Sequence, residues 1–256
     1  GRVDTGRRAV YSRRMSDAGR RTRIWEIDFL RGLAIVLMVG YHLLYDLGEF
    51  RGVERFLGFS TDLSSAAYTR AQLFFAALFV VLSGISSTLS RNNTRRGLRL
   101  LLVSLAVTAV TYAFDPASAV WFGILQLLAV SIFVYGAAFA GAGAAVCAAA
   151  GAAVVGLGAA LPALLRGVAV RTDWLLPLGI HRPSFTSFDY FPLVPWLGVF
   201  LIGAALGKSV YAAGESLLPW ALPETLVNAA GRRSLLIYLV HQPLIMGVLY
   251  ALGPVR

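Results

Sequence analysis

Residues 27–47 read IDFLRGLAIVLMVGYHLLYDL. The stretch is long enough to cross a bilayer as a helix, yet it carries Asp28, Arg31, His42 and Asp46. An ionisable group central in a membrane segment costs roughly 2.5–3.5 kcal/mol on insertion scales, so such groups point to function by default. Depth sorts them. Asp28 and Arg31 fall in the first turn and can snorkel to the interface. His42 follows about fifteen residues later, roughly 22 Å along the helix. Asp46 comes one turn further on the same face. The segment is polar at both ends.

The rest of the chain shares this character. Hydrophobic residues make up 57% of the sequence and charged residues only 14%. A soluble α-domain of this size needs more charge to cover its surface. The fold class expected is therefore all-α, a polytopic transmembrane helical bundle. The single cysteine, Cys147, excludes an intrachain disulfide and a cysteine-based zinc site. No P-loop, His-Glu-x-x-His zinc motif or Gly-x-Ser-x-Gly elbow is present, and no metal is expected.

The formal charge of +10 is concentrated early, with eight arginines before the first span (Arg2, Arg7, Arg8, Arg13, Arg14, Arg20, Arg21 and Arg23). With no aromatic interleaving, the run reads as a disordered cytoplasmic tail over residues 1–23 that fixes topology. It does not read as a nucleic-acid arm. The first apolar segment is too long for a cleavable signal peptide and is read as an uncleaved anchor.

Seven spans are expected, at about 27–47, 71–90, 98–114, 119–139, 142–164, 194–213 and 233–252. Residues 24–256 form one domain. Arg91, Arg95, Arg96 and Arg99 between spans two and three, with Lys208, Arg232 and Arg233 between six and seven, put the N-terminus in the cytoplasm of a plasma-membrane protein. Span five is rich in Ala and Gly, which lets helix backbones approach closely. Pro219–Asn228 is expected as a short interfacial helix with Trp220 at headgroup depth.

Only three histidines occur, His42, His181 and His241. Asp46 stands at i+4 from His42, the spacing with which a carboxylate orients an imidazole base. His241 begins His241-Gln242-Pro243 inside the last span, where Pro243 frees a backbone carbonyl one turn back. Counted from the bilayer edges, the two histidines lie about 10 Å apart along the normal. Asp28 and Arg31 form either an interfacial ion pair or, with Arg95 and Arg96, a basic mouth for a phosphate-bearing cofactor. Gln126 is either a donor to a substrate carbonyl or a cross-helix bond. Phe188-Asp189-Tyr190-Phe191-Pro192 suits an ordered extracytoplasmic access loop, with Asp189 its residue suited to chemistry, and His181 is read as surface.

Several motifs recur in a known order: Ile27-Asp28-Phe29-Leu30-Arg31-Gly32, Leu82-Ser83-Gly84-Ile85-Ser86, Arg95-Arg96-Gly97 and Phe122-Gly123-Ile124-Leu125-Gln126. Asp189-Tyr190-Phe191-Pro192-Leu193, Pro195-Trp196-Leu197-Gly198 and Ser234 to Pro243 follow. Together they resemble the heparan-α-glucosaminide N-acetyltransferase catalytic domain of the transmembrane acyltransferase superfamily, in its bacterial and archaeal form, over about residues 24–252. The resemblance implies acyl transfer across the membrane, with cytoplasmic acetyl-CoA as donor and an amino sugar or other glycan as acceptor. On that reading His42 with Asp46 deprotonates the acceptor, and His241 with Gln242 polarises the thioester. Asp28, Arg31, Arg95 and Arg96 hold the donor, while Gln126, Asp189 and Gln242 contact the substrates. In the family's eukaryotic enzyme the catalytic histidine lies in the loop after the first span; the loop here, 48–70, has none. Partners expected are membrane lipids and the acceptor, with a homodimer as candidate assembly and no nucleic acid. The competing readings are a transporter or lipid-linked glycan carrier using the same polar channel, and a scaffold recruiting a partner through its arginine tail.

Overall fold

Helices account for almost all the regular structure, as the long apolar runs require. The computed structural model describes residues 24–219 and 225–253. The arginine tail and Trp220 lie outside the described residues. The first helix, α1 (Trp25–Arg51), has Glu26 and Asp28 in its first turn, where the helix dipole favours carboxylates, and stops at Gly52 with a left-handed φ of 62°. A small antiparallel hairpin of β1 (Arg55–Phe56) and β2 (Phe59–Ser60) follows. The Ser65 hydroxyl caps α2 (Ala66–Leu89), and the Asn92 side chain accepts the Arg95 N–H at 2.8 Å to cap α3 (Asn93–Phe114).

The helix α4 (Ile124–Val134) continues as a π-helix over Tyr135–Phe139, before the small-residue helix α5 (Ala144–Leu164). A 3₁₀ turn at Leu176–Leu178 interrupts the next loop, which leads to α6 (Leu193–Ser209). Short α7 (Leu226–Arg232) then joins α8 (Ser234–Ala251). Five of these, α1, α2, α3, α5 and α8, are long and apolar enough to cross a membrane. The other two expected spans are shorter apolar helices, Ile124–Phe139 and α6.

The short helices are the enclosed ones. Along α4 every residue from Ile124 to Ala129 is buried, and the core runs through Val80, Leu127, Ile132 and Phe200, all at 0% exposure, where α4 and α6 meet α2. The long helices turn apolar side chains outward instead; Leu102, Leu105 and Val110 of α3 are exposed. That is the pattern of a bundle solvated by lipid.

Two boundaries differ from the sequence expectation for local reasons. The fourth span begins at Ile124, not near 119, because its lead-in is bonded to a distant loop: Phe188 N–H donates to Ser118 O at 2.7 Å and Phe191 N–H to Phe122 O at 2.9 Å. The sixth ends at Ser209, after which the chain turns through Gly214 with a φ of 69°.

The close approach of α7 to α1 at the N-terminal face depends on glycines. Short α7 packs beneath α1 so closely that a Cβ on Gly231 would lie 1.8 Å from Asp28 O, and one on Gly32 would lie 1.8 Å from Val227 O. Gly156 of α5 has open space where its Cβ would go. Gly231→Ala is therefore expected to destabilise the bundle by about 1–3 kcal/mol through overpacking. Gly156→Ala is expected to be neutral or better. Thermal unfolding of the two variants in one detergent checks the contrast.

Candidate active site

A cavity of about 240 Å³ opens near the N-terminal face between α1, α2, α3, α4 and α8. It is lined by four arginines, Arg31, Arg96, Arg99 and Arg232, and by the apolar side chains of Phe79, Leu100, Leu125, Leu128 and Leu235. The arginines are oriented by hydroxyls. Arg96 donates to Ser87 Oγ at 3.0 Å and to Ser83 Oγ at 2.9 Å, and Ser87 Oγ in turn donates to Ser83 O. Arg31 donates to Ser86 Oγ at 2.7 Å and pairs with Asp28 at 3.2 Å. Serine can fix a guanidinium without neutralising it, so the positive charge at Arg96 stays available to an anion.

Of the expected basic mouth, Arg31 and Arg96 line this cavity, whereas Arg95 is exposed beside it and Asp28 acts as the partner of Arg31. The sequence reading missed Arg99 and Arg232. Arg99 stands three residues after Arg96, hence on the same helical face, and could have been found by that spacing.

Tyr238 also lines the cavity. Beyond it the structure brings His42 and His241 together, with ring centroids 5.0 Å apart, and the Tyr238 and His241 rings 5.8 Å apart. The two histidines are thus closer than the 10 Å offset expected from the bilayer edges. That count overlooked α7, which tucks under α1 and raises α8 against it. Nδ1 of His241 lies 2.6 Å from Tyr238 O. A carbonyl only accepts, so in the neutral ring Nδ1 carries the proton and Nε2 the lone pair. The helix α8 continues through Pro243.

Asp46 is 0% exposed, and its carboxylate is bonded by Gln242, whose Nε2 donates to Oδ1 at 3.1 Å and Oδ2 at 2.9 Å. The i+4 carboxylate is therefore engaged by α8, not by the His42 ring above it. Among the described residues Gln242 Oε1 has no hydrogen-bond partner although it is buried. Gln126 is buried and fully used: Oε1 accepts the Gly123 N–H, and Nε2 donates to Thr108 Oγ1 at 2.9 Å and Ser104 O at 3.3 Å. It ties α3 to α4 and lines neither cavity.

Asp189 joins three parts of the chain. Its Oδ2 accepts the Ile124 N–H at 2.9 Å and the Tyr238 O–H at 2.8 Å, so a loop carboxylate caps α4 from a distance and holds the phenol of α8. Burial pushes the Asp189 carboxyl up from its ordinary range, and these hydrogen bonds pull the other way. His181 is part of an aromatic group with Phe185 and Tyr190, 5.0 and 5.2 Å between centroids.

On the opposite face a wider bowl of about 970 Å³ lies over the end of α1. Tyr41 and Tyr45, which flank His42 in sequence, form part of its floor, and Glu49, Glu54 and Asp62 part of its wall beside Arg55. Hydrogen bonds from Ser64 hold the Asp62 carboxyl below its usual range.

The helical bundle thus sets a cationic cavity at one face and paired imidazoles behind it. The sequence matches the family described as heparan-alpha-glucosaminide N-acetyltransferase, catalytic, over residues 23–243, and the chain belongs to that family. No curated protein and no solved structure matches it.

Gly123 makes the Asp189 junction possible, since a Cβ there would come within 2.3 Å of Asp189 Oδ2. Gly123→Ala is expected to cost about 1–3 kcal/mol by dislodging the cap. Gly136→Ala, where nothing lies within 4 Å of the added carbon, serves as the control. Denaturant unfolding monitored by tryptophan fluorescence reads both.

Proposed function

We propose that the protein transfers an acetyl or other acyl group from cytoplasmic acyl-CoA to an amino sugar or other glycan on the extracytoplasmic side of the plasma membrane. The observation that carries this reading is the arginine cavity ending at Tyr238, next to the paired imidazoles of His42 and His241. A donor that carries both phosphates and a long thioester arm suits a cavity lined by arginines and apolar side chains. Its volume, about 240 Å³, falls below the roughly 300–1,000 Å³ of whole-ligand pockets, as expected for a site that takes the arm and leaves the nucleotide at the mouth. Arg31, Arg96, Arg99 and Arg232 would face the phosphates. The N-terminal face would then be the cytoplasmic one.

The acceptor would approach over the opposite bowl, where Tyr41 and Tyr45 offer faces for a sugar ring and Glu49, Glu54 and Asp62 favour an amine. In the transfer the acyl C–S bond breaks and a C–N or C–O bond forms. The proton leaving the acceptor goes to an imidazole, for which Nε2 of His241 has the free lone pair, and ends on the departing thiolate as the free thiol. His42 stands beside this base, and Asp46 with Gln242 fixes α8 against α1.

CoA binding to the purified protein in detergent tests the donor side. Loss of a charge-assisted contact costs roughly 1.5–3 kcal/mol, so Arg96→Ala is expected to weaken binding about 10- to 100-fold. Arg95→Ala, outside the cavity, is expected to change it less than about twofold. Unchanged affinity in both Arg31→Ala and Arg96→Ala would remove the donor assignment. Solute uptake without thioester consumption, abolished by His42→Ala, would favour a transporter.

A further inference from the structure

The position of Tyr238 has a consequence for how donor and acceptor meet. Its ring forms part of the cavity wall and stands three residues before His241, so it lies between the arginine cavity and the imidazole pair. Its O–H does not turn into the cavity but donates to Asp189. That carboxylate belongs to the loop on the opposite face, and the loop is sewn to the start of α4. Phe188 N–H and Phe191 N–H bond to Ser118 O and Phe122 O, and Ser187 Oγ donates to Ala119 O at 2.9 Å. A wall residue of one side is thus held by a residue of the other.

The chemistry gives such an arrangement a use. A thioester that reaches a basic imidazole before an acceptor is present is open to attack by water, and a closed site suppresses that side reaction. A buried phenol also needs a hydrogen-bond partner, so Tyr238 stays where Asp189 holds it. We infer that Tyr238 is a positioning residue whose ring closes the donor cavity against the imidazole pair, and that Asp189 latches it from the acceptor-side loop. Release of the latch when the acceptor side is occupied frees the ring and lets the thioester meet His241. The device does not use the phenol as acid or base. It rests on the acyltransferase reading above.

The test compares acceptor-independent hydrolysis of acetyl-CoA with transfer to glucosamine by the purified full-length protein. Tyr238→Phe keeps the ring and loses the latch. CoA affinity is expected to stay within about twofold, while hydrolysis without acceptor rises about tenfold, the factor one lost hydrogen bond supplies. The ratio of transfer to hydrolysis falls accordingly, a change that a merely structural role would not produce. Asp189→Ala removes the phenol's acceptor from the other side and is expected to uncouple in the same way, which keeps the test open if one variant does not fold. Asp189→Asn retains one acceptor oxygen, as the native latch uses one, and is expected to restore most of the coupling. Hydrolysis and ratio unchanged in Tyr238→Phe or Asp189→Ala overturn the latch while leaving the acyltransferase reading intact. No thioester consumption by the wild-type protein overturns both.

Discussion

Lipid offers no hydrogen-bond partners, so each polar group carried into a bundle like this one must be satisfied by protein or turned into a cavity. That constraint explains where the charged and polar side chains sit. Arg96 is held by Ser83 and Ser87, Asp46 by Gln242, and Asp189 by a helix N-terminus and a phenol. The partners differ in kind. Amide and phenol satisfy the carboxylates by hydrogen bonding, whereas serine hydroxyls orient the Arg96 guanidinium and leave its charge uncompensated. A guanidinium held only by hydroxyls can still attract an anion, and family membership supplies the class of chemistry, that of a membrane acetyltransferase type.

The same constraint accounts for the architecture. The helices α4 and α6 are too short to face lipid over a full bilayer and lie inside the bundle. Because α4 starts within the bundle, its first N–H groups need an acceptor that water would otherwise provide. Gly123 has no side chain to cap them, and its missing Cβ makes room for Asp189 to do so. One carboxylate thereby fixes the loop of residues 187–191, the start of α4 and the Tyr238 wall of α8.

Much of this was legible in the sequence. Apolar runs located seven helical segments, and the helix class followed from composition alone. The basic mouth was half legible: Arg31 and Arg96 were found because they lie in recognisable motifs. Arg99 and Arg232 were missed because an arginine near a helix end looks like an ordinary topology signal. The pairing of His42 with His241 was hidden by depth arithmetic, which has no knowledge of α7 under α1. The i+4 relation of His42 and Asp46 was real as spacing, but a helix face has neighbours, and Gln242 of α8 takes the carboxylate. Gln126 and Asp189 show the same limit. Local sequence gives their polarity, whereas the partners that tie them to other elements lie 18 to 65 positions away.

We propose that the arginine cavity and the histidine pair lie on one path across the membrane, with donor and acceptor on opposite sides. Sealed proteoliposomes with known protein orientation test it directly, with acetyl-labelled acetyl-CoA supplied on the N-terminal face and glucosamine on the other. Labelled N-acetylglucosamine is expected in the acceptor compartment, with free CoA remaining in the donor compartment. Label transfer only when both substrates share one compartment, or solute movement with the thioester intact, would contradict it.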